Sequence, residues 1–90
     1  IYMNGFSVMG LQQEAIADDV SLNELTAPGI YFRRSLPQEN LNYPALVFGI
    51  LEVFSCSVNL VIQRYTARDS PFDMYIRSRV NSTWSAWVKK

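Results

Sequence analysis

The chain contains no histidine and only one cysteine among its 90 residues. The absence of histidine removes the commonest general base and metal ligand at neutral pH, and it excludes serine–histidine and cysteine–histidine catalysis within this chain. Cys56 has no second cysteine with which to form an intrachain disulfide, and its neighbours Val53, Phe54 and Val58 predict a buried, unreactive thiol. We therefore expect no enzyme activity, no catalytic residue, no metal and no cofactor in this domain.

An excess of charge of either sign is also missing. Eight basic residues balance eight acidic ones, so no net field favours nucleic acid or an anionic membrane. Both lysines are the last two residues, and the other basic residues are all arginines. Basic and aromatic residues interleave in "YIRSR", as in single-strand binders, but the neutral balance predicts no nucleic-acid partner.

Long hydrophobic runs are absent. No apolar stretch approaches the roughly 20 residues that cross a bilayer, so we expect no membrane insertion. A hydrophobic fraction of 49% with 13% aromatic residues is typical of a folded globular chain, and 90 residues suffice for one small, marginally stable domain. The chain opens on "IYMNGFSVMG", without an initiator methionine or a secretory signal, which predicts a piece of a longer polypeptide.

Several segments have the composition and alternation of β-strands. They are residues 29–34, 46–54, 58–66, 71–80 and 83–88. "SCS" at 55–57 and Asn81-Ser82 predict tight turns, whereas 9–19 predicts a short helix or a docking arm and Ser21 predicts the cap of a turn. The pattern predicts a mainly β fold, a small antiparallel sheet or sandwich-like knob, with an N-terminal arm or linker at 1–18 and a β domain at 19–90.

Residues 71–80 divide into two faces. Apolar residues fall on one face, and Asp73, Tyr75, Arg77 and Arg79 on the other. We expect the apolar face to be core. The predicted core residues are Ile30, Phe32, Leu51, Val53, Leu60, Ile62, Ile76 and Trp84.

The two tryptophans are separated by an odd number of positions. On a regular strand they point to opposite faces, which assigns Trp84 to the core and Trp87 to an edge or a subunit contact. "LVFGILEVF" at 46–54 is a nearly continuous apolar run, as in a strand buried on both faces, which predicts that a second layer or another chain covers it. Gly49 within it predicts a bulge or a close approach.

The second face of residues 71–80 is a candidate ligand surface. Aromatic rings stack on sugars, and arginine binds carboxylates or phosphates with two hydrogen bonds. The candidate glycan-binding residues are Tyr65, Tyr75, Arg77, Arg79 and Trp87. The alternative is an ordinary solvated face whose arginines pair with Asp69, Asp73 or Glu52 across strands. Asp18 and Asp19 are adjacent, which favours a turn or helix-end role over a catalytic carboxylate pair.

Taken in order, the segments resemble the pyocin-knob family of bacteriophage tail fibres and phage-tail-like bacteriocins. The resemblance rests on "LNELTAPGIYF", "NLNYPA", "GILEVF", "VIQRYTA" and "MYIRSRVNSTWSAW", and runs from about Asp19 to Trp87. The departures fall in turns: Ser82 stands where the family usually has glycine, and "SCS" and "RDSP" stand where it has glycine-rich hairpins.

The resemblance implies a non-enzymatic domain of a virion tail fibre or tailspike that attaches to a bacterial surface glycan. The implied partners are lipopolysaccharide, capsule or teichoic acid, and two further copies in a homotrimer. Two alternatives stay open: a structural or trimerisation knob of the fibre, and an accessory carbohydrate-binding domain of a capsule-depolymerising tailspike.

Overall fold

The computed structural model describes residues 12–90. They form seven strands: β1 Gln12–Ala15, β2 Gly29–Phe32, β3 Gly49–Ser57, β4 Leu60–Ala67, β5 Met74–Val80, β6 Thr83–Trp84 and β7 Val88–Lys89. A 3-10 helix at Leu22–Glu24 lies between β1 and β2, and the Ser21 hydroxyl caps it by accepting from the Asn23 amide at 3.1 Å. No helix in this part of the chain is long and apolar enough to cross a membrane.

The strands form one mixed sheet in the order β1-β2-β3-β4-β5-β6, with β7 also paired to β5. β1 and β2 run parallel, and the other pairings are antiparallel. The predicted mainly β fold is confirmed. The helix considered for 9–19 is wrong for the described part of that range, because Gln12–Ala15 pairs as an edge strand with Gly29–Phe32. Residues 1–11 of the predicted arm lie outside the described residues.

One face of the sheet, which we call the inner face, carries the core. Tyr31, Leu51, Val53, Val61 and Tyr65 are buried there. Two irregular segments cover them: the crossover 16–28, which contributes Ile16 and Leu22 to the core, and the loop 33–48, which contributes Tyr43. The core therefore lies between the sheet and a layer without strands.

The opposite face, which we call the outer face, is apolar and open. It carries Ile30 and Phe32 of β2, Ile50 and Phe54 of β3, Ile62 of β4, Ile76 and Val80 of β5, and Val88 of β7. Phe32, Ile50, Phe54, Val80 and Val88 are between 36% and 54% exposed. The prediction placed the buried face of β2, β4 and β5 on the wrong side: Ile30, Phe32, Leu60, Ile62 and Ile76 are not among the buried core residues, whereas Leu51 and Val53 are.

The β3–β4 hairpin is confirmed, with its turn at Val58-Asn59 instead of 55–57. The register shifts between Ser55 and Ser57, so Cys56 is the extra residue of a bulge. The prediction of a buried thiol is wrong, because this end of the hairpin extends past the covering layer and leaves Cys56 exposed.

The turn at Asn81-Ser82 is confirmed. Val80 pairs with Thr83, and Asn81 has φ 58°, a left-handed conformation that asparagine tolerates better than most residues. The predicted close approach at Gly49 is confirmed as well. A Cβ on Gly49 would lie 2.5 Å from the Thr66 carbonyl oxygen and 2.7 Å from Cε2 of Tyr65.

Arg33 joins the two irregular segments, the crossover 16–28 and the loop 33–48, that together form the covering layer. Its side chain is 1% exposed, lies 3.6 Å from the Asp18 carboxylate, and donates to the backbone oxygens of Asp18 and Ser35, both at 3.2 Å. Asp18 also accepts from the Ser35 hydroxyl at 2.9 Å. These bonds join the crossover directly to the loop, in addition to the contacts that each segment makes with the sheet.

We expect Gly49→Ala to destabilise the domain by about 1–3 kcal/mol, because the added methyl group meets a backbone oxygen and the ring of a fully buried tyrosine. Urea unfolding followed by tryptophan fluorescence measures the change. Val58→Ala, at a turn residue that is 88% exposed, is the control and should change stability by less than about 0.5 kcal/mol. Equal stability of the two variants would contradict the close approach.

Candidate functional site

The five residues predicted to bind glycan belong to the inner side of the sheet and the segment after it. Tyr65 is 1% exposed and Arg77 is 5% exposed, whereas Tyr75, Arg79 and Trp87 are half-buried. Tyr65 pairs with Tyr75 and Gln63 pairs with Arg77 on adjacent strands, so the predicted neighbours do come together. They do not form a solvated row, because the covering layer lies over this face.

Arg77 lies between the two tryptophans. Its guanidinium carbon is 3.9 Å from the centroid of the Trp84 ring and 4.6 Å from that of Trp87. Its Nε donates to Oε1 of Gln63 at 2.9 Å, while its Nη2 is buried without a hydrogen-bond partner among the described residues. Burial lowers the pKa of Arg77 to about 10. The two indole faces partly replace the water that this cation has lost.

The tryptophans share this contact because the final strand is interrupted. β6 ends at Trp84, and Ser85 holds the chain against β5 through two bonds to Ser78: the Ser85 amide donates to its carbonyl at 2.7 Å, and the Ser85 hydroxyl accepts from its amide at 3.0 Å. The predicted opposite orientation of Trp84 and Trp87 assumed one regular strand and is wrong for that reason. Trp87 packs against the core, and its indole N–H donates to the Asn42 carbonyl at 2.9 Å.

Gln63 connects the sheet to the covering layer. It is fully buried, and its Nε2 donates to the carbonyls of Leu22 at 2.7 Å and Leu25 at 2.8 Å. Its Oε1 accepts from Arg77, so the side-chain amide uses both of its donor hydrogens and one acceptor site. Gln63 shares its face with Tyr65, which the sequence analysis placed on the candidate ligand surface and not in the core. The sequence does contain a signal for its burial, because Gln63 lies two residues from each of the core residues Val61 and Tyr65 and therefore shares their face.

A second cluster lies at the rim of the outer face, where β2 ends and β3 begins. We call it the arginine recess: a cavity of about 340 Å³ lined by Phe32, Arg33, Arg34, Phe48, Gly49, Ile50 and Arg68. The guanidinium carbon of Arg68 lies 4.5 Å from the Phe48 ring centroid, and that of Arg34 lies 6.0 Å from the Phe32 ring centroid. Exposed cations beside aromatic rings are what an anionic sugar needs.

The two exposed arginines of the recess differ in their charge partners. Arg68 pairs with Asp69 at 2.9 Å, and this hydrogen bond lowers the pKa of the Asp69 carboxyl. Arg34 forms no ion pair with any carboxylate of the described residues. The recess is therefore partly neutralised at one end and positive at the other. The sequence analysis did not assign Arg34 or Arg68 to a site, because the loop that brings Phe48 beside them has no regular pattern.

Within residues 12–90, no three histidine, cysteine, aspartate or glutamate side chains come together as metal ligands would. The alternative, in which the arginines of the candidate ligand face pair with Asp69, Asp73 or Glu52, is wrong for Arg77, which contacts Gln63 and the two tryptophans. Glu52 pairs instead with Arg64, 2.7 Å away on the outer face. Asp73 pairs instead with Lys89 at 3.4 Å.

We expect Gln63→Leu to destabilise the fold by about 3 kcal/mol or more, because it leaves two backbone carbonyls and Arg77 without their partner in the interior. Arg77→Met should also destabilise it. The double variant should be less destabilised than the sum of the two, by about 1–3 kcal/mol, because each single change already breaks the shared bond. Chemical unfolding of all four proteins measures this coupling, and strict additivity would contradict it.

Stability should fall as the pH rises past about 10. Burial raises the pKa of Tyr31, Tyr43 and Tyr65 above the ordinary value of 10.0, so above that pH the unfolded chain releases protons that the folded chain retains. Arg77 acts in the opposite direction between about 10 and its ordinary 12.5, because there the unfolded chain binds the additional proton. The tyrosines thus lower the stability as the pH rises, and Arg77 offsets part of that loss.

The variant Tyr65→Phe tests the sign of this dependence of stability on pH. The variant should lose stability less steeply between pH 10 and pH 12, because one of the three raised groups is gone. Unfolding free energies at several pH values give the two slopes, and phenolate absorbance near 295 nm reports when the tyrosines ionise. Identical slopes would exclude Tyr65 as a contributor.

Comparison with solved structures gives the fold a known relative. The chain is similar to an N-truncated R2-type pyocin tail fibre, with 25% identity and a TM-score of 0.74 over 96% of this chain and 34% of that one. It is also similar to the C-terminal part of the R2 pyocin fibre of P. aeruginosa, with 24% identity and a TM-score of 0.76 over all of this chain and 25% of that one. No protein-family model and no curated protein matches it. The chain thus spans between a quarter and about a third of these fibre fragments and has the fold of a pyocin tail-fibre domain.

Proposed function

We propose that this chain is a domain of a tail fibre, of a phage or a phage-tail-like particle, that attaches the particle to a bacterial surface glycan. The observation that carries the proposal is the likeness to the R2-type pyocin tail fibre over 96% of the chain at 25% identity. A fibre is the part of such a particle that reaches outward, and bacterial surfaces present polysaccharides that are commonly anionic.

The arginine recess supports a specific ligand class. It offers exposed guanidinium groups, aromatic rings and a cavity of about 340 Å³, large enough for one or two sugar units. Arg34 has no described carboxylate paired with it, so it is free to bind a carboxylate or phosphate of lipopolysaccharide, capsule or teichoic acid. We therefore assign the first contact with an anionic glycan to this recess.

The half-buried part of the predicted set is the competing location. Tyr75, Arg79 and Trp87 retain partly exposed side chains, while Tyr65 and Arg77 serve the interior. Binding there would use the edge of the sheet near β6 and not the rim near β2. Tyr75 lines a cavity with Phe48 and Asp69 and so lies close to the recess, whereas Arg79 pairs with Trp84 of β6. Arg79 is therefore the residue that distinguishes the two locations.

We expect the chain to bind surface polysaccharide that carries carboxylate or phosphate, and to bind it more weakly as salt increases. Arg34→Ala with Arg68→Ala should weaken binding by about tenfold or more, since two charge-assisted contacts are lost. Asp69→Asn should strengthen it, because the competing carboxylate on Arg68 is removed. Pull-down on whole bacteria and biolayer interferometry on purified charged and neutral polysaccharides measure these changes.

Arg79→Ala is the control, because it removes one cation of the competing location, on the side of the sheet where β6 pairs. Loss of binding in this variant alone would place the ligand on the originally predicted residues. Failure of the folded wild-type chain to bind any polysaccharide or cell would overturn the proposal. Circular dichroism of every variant separates lost binding from lost fold.

A structural knob of the fibre is the second candidate function. The observation that favours it is the open apolar outer face, which a domain working alone in water would not need.

A further inference from the structure

A second cavity opens on the outer face beside the arginine recess. We call it the outer pocket: its volume is about 560 Å³, and Ile30, Phe32, Ile50, Glu52 and Thr66 line it. Phe32 and Ile50 also line the recess, so the two cavities adjoin. A volume of this size lies within the range of ligand pockets, roughly 300–1,000 Å³.

The strand register places the lining residues of the outer pocket in two rows. Ile30 pairs with Glu52 in one row, and in the next row Ile50 pairs with Phe32 on one side and with Thr66 on the other. Side chains diagonally opposite on paired strands have Cβ atoms about 7–8 Å apart. Glu52 and Thr66 are such diagonal neighbours, so one small polar group of a ligand can reach both of them while it lies over Ile50.

Glu52 has an acceptor oxygen that its ion pair does not use. Nε and Nη2 of Arg64 both contact Oε1 of Glu52 at 2.7 Å. No hydrogen bond within residues 12–90 engages Oε2, and the side chain is partly exposed. Oε2 can therefore accept from an N–H of a ligand while the ion pair with Arg64 stays intact.

The groups of the outer pocket complement an N-acetyl group. Such a group consists of a methyl group, an N–H donor and a carbonyl acceptor. The apolar side chains Ile30, Phe32 and Ile50 can pack on the methyl group, Glu52 can accept from the N–H, and the Thr66 hydroxyl can donate to the carbonyl. A carboxylate or phosphate would be repelled by Glu52, so the pocket and the recess select different chemical groups.

We infer that the outer pocket binds the N-acetyl group of an amino sugar that is linked to the acidic sugar in the arginine recess. The inference rests on the proposed attachment to an anionic glycan, and it restricts the substrate class to glycans in which an acidic sugar neighbours an N-acetylated one. Two linked units can occupy the two cavities because Phe32 and Ile50 belong to both. Glu52 and Thr66 then determine specificity, whereas the arginines of the recess supply the attraction between charges.

The test compares two oligosaccharides of equal length and linkage. One alternates glucuronic acid with N-acetylglucosamine, and the other alternates glucuronic acid with glucose, so their charge is the same and they differ in the acetamido group. We expect the chain to bind the N-acetylated oligosaccharide about tenfold more tightly in isothermal titration calorimetry. The reason is that a site with hydrogen-bonding groups for the acetamido group loses those bonds with the glucose analogue.

Two variants test the residues that determine this preference. Glu52→Gln and Thr66→Val should each reduce the ratio of the two affinities by about threefold or more. The ratio is the measured quantity because a general change in charge affects both oligosaccharides alike. Thr83→Val is the matched control, the same chemical change at the end of β5 opposite to the end where Thr66 pairs, and it should leave the ratio unchanged. Circular dichroism verifies the fold of each variant.

Equal affinity for the two oligosaccharides would overturn the inference, as would a preference that neither Glu52→Gln nor Thr66→Val reduces. An N-deacetylated form of the first oligosaccharide is the third probe, since Glu52 could also attract its ammonium group. Tighter binding of this form than of the N-acetylated one would overturn the assignment to an acetamido group.

Failure of this inference is distinguishable from failure of the proposed attachment. A chain that binds charged bacterial polysaccharide but shows no preference for the N-acetylated oligosaccharide removes only this inference. A folded chain that binds neither the polysaccharides nor any of the three oligosaccharides removes both.

Discussion

The side-chain amide of Gln63 is the contact on which the arrangement of this domain depends. It lies in the middle of β4, donates to two carbonyls of the crossover and accepts from Arg77 on β5. Buried polar groups are costly unless paired, so these three bonds define one position of the crossover over the sheet and disfavour others. Trp84 and Trp87 then close over Arg77, and Trp87 reaches the loop through Asn42. Crossover, sheet and C-terminal segment thus meet at one polar cluster.

This cluster has a consequence for the other side of the sheet. Both irregular segments of residues 12–90 that contribute to the core lie over the inner face, and Gln63 is bonded to the crossover there. The apolar row with Ile50, Phe54 and Ile62 is left on the open side.

The same arrangement explains which arginines are used inside the domain and which remain exposed. Arginines on the inner face are used for internal contacts: Arg77 for the tryptophans, and Arg33 for joining the crossover to the loop. Arg34 and Arg68 remain at the rim, stacked on phenylalanines and facing solvent.

The sequence by itself determined the β class, the four central strands β2 to β5, the hairpin turn at Asn81-Ser82 and the close approach at Gly49, because these follow from alternation, turn residues and local sterics. It also determined which residues share a face. Only the tertiary structure decided which face is inside, since period-two alternation is the same for both and the choice rests on Gln63 bonding to Leu22 and Leu25, about 40 residues away. The arginine recess and the shared contact of Trp84 and Trp87 were decided in the same way, by a loop and a strand interruption whose positions depend on contacts distant in the chain.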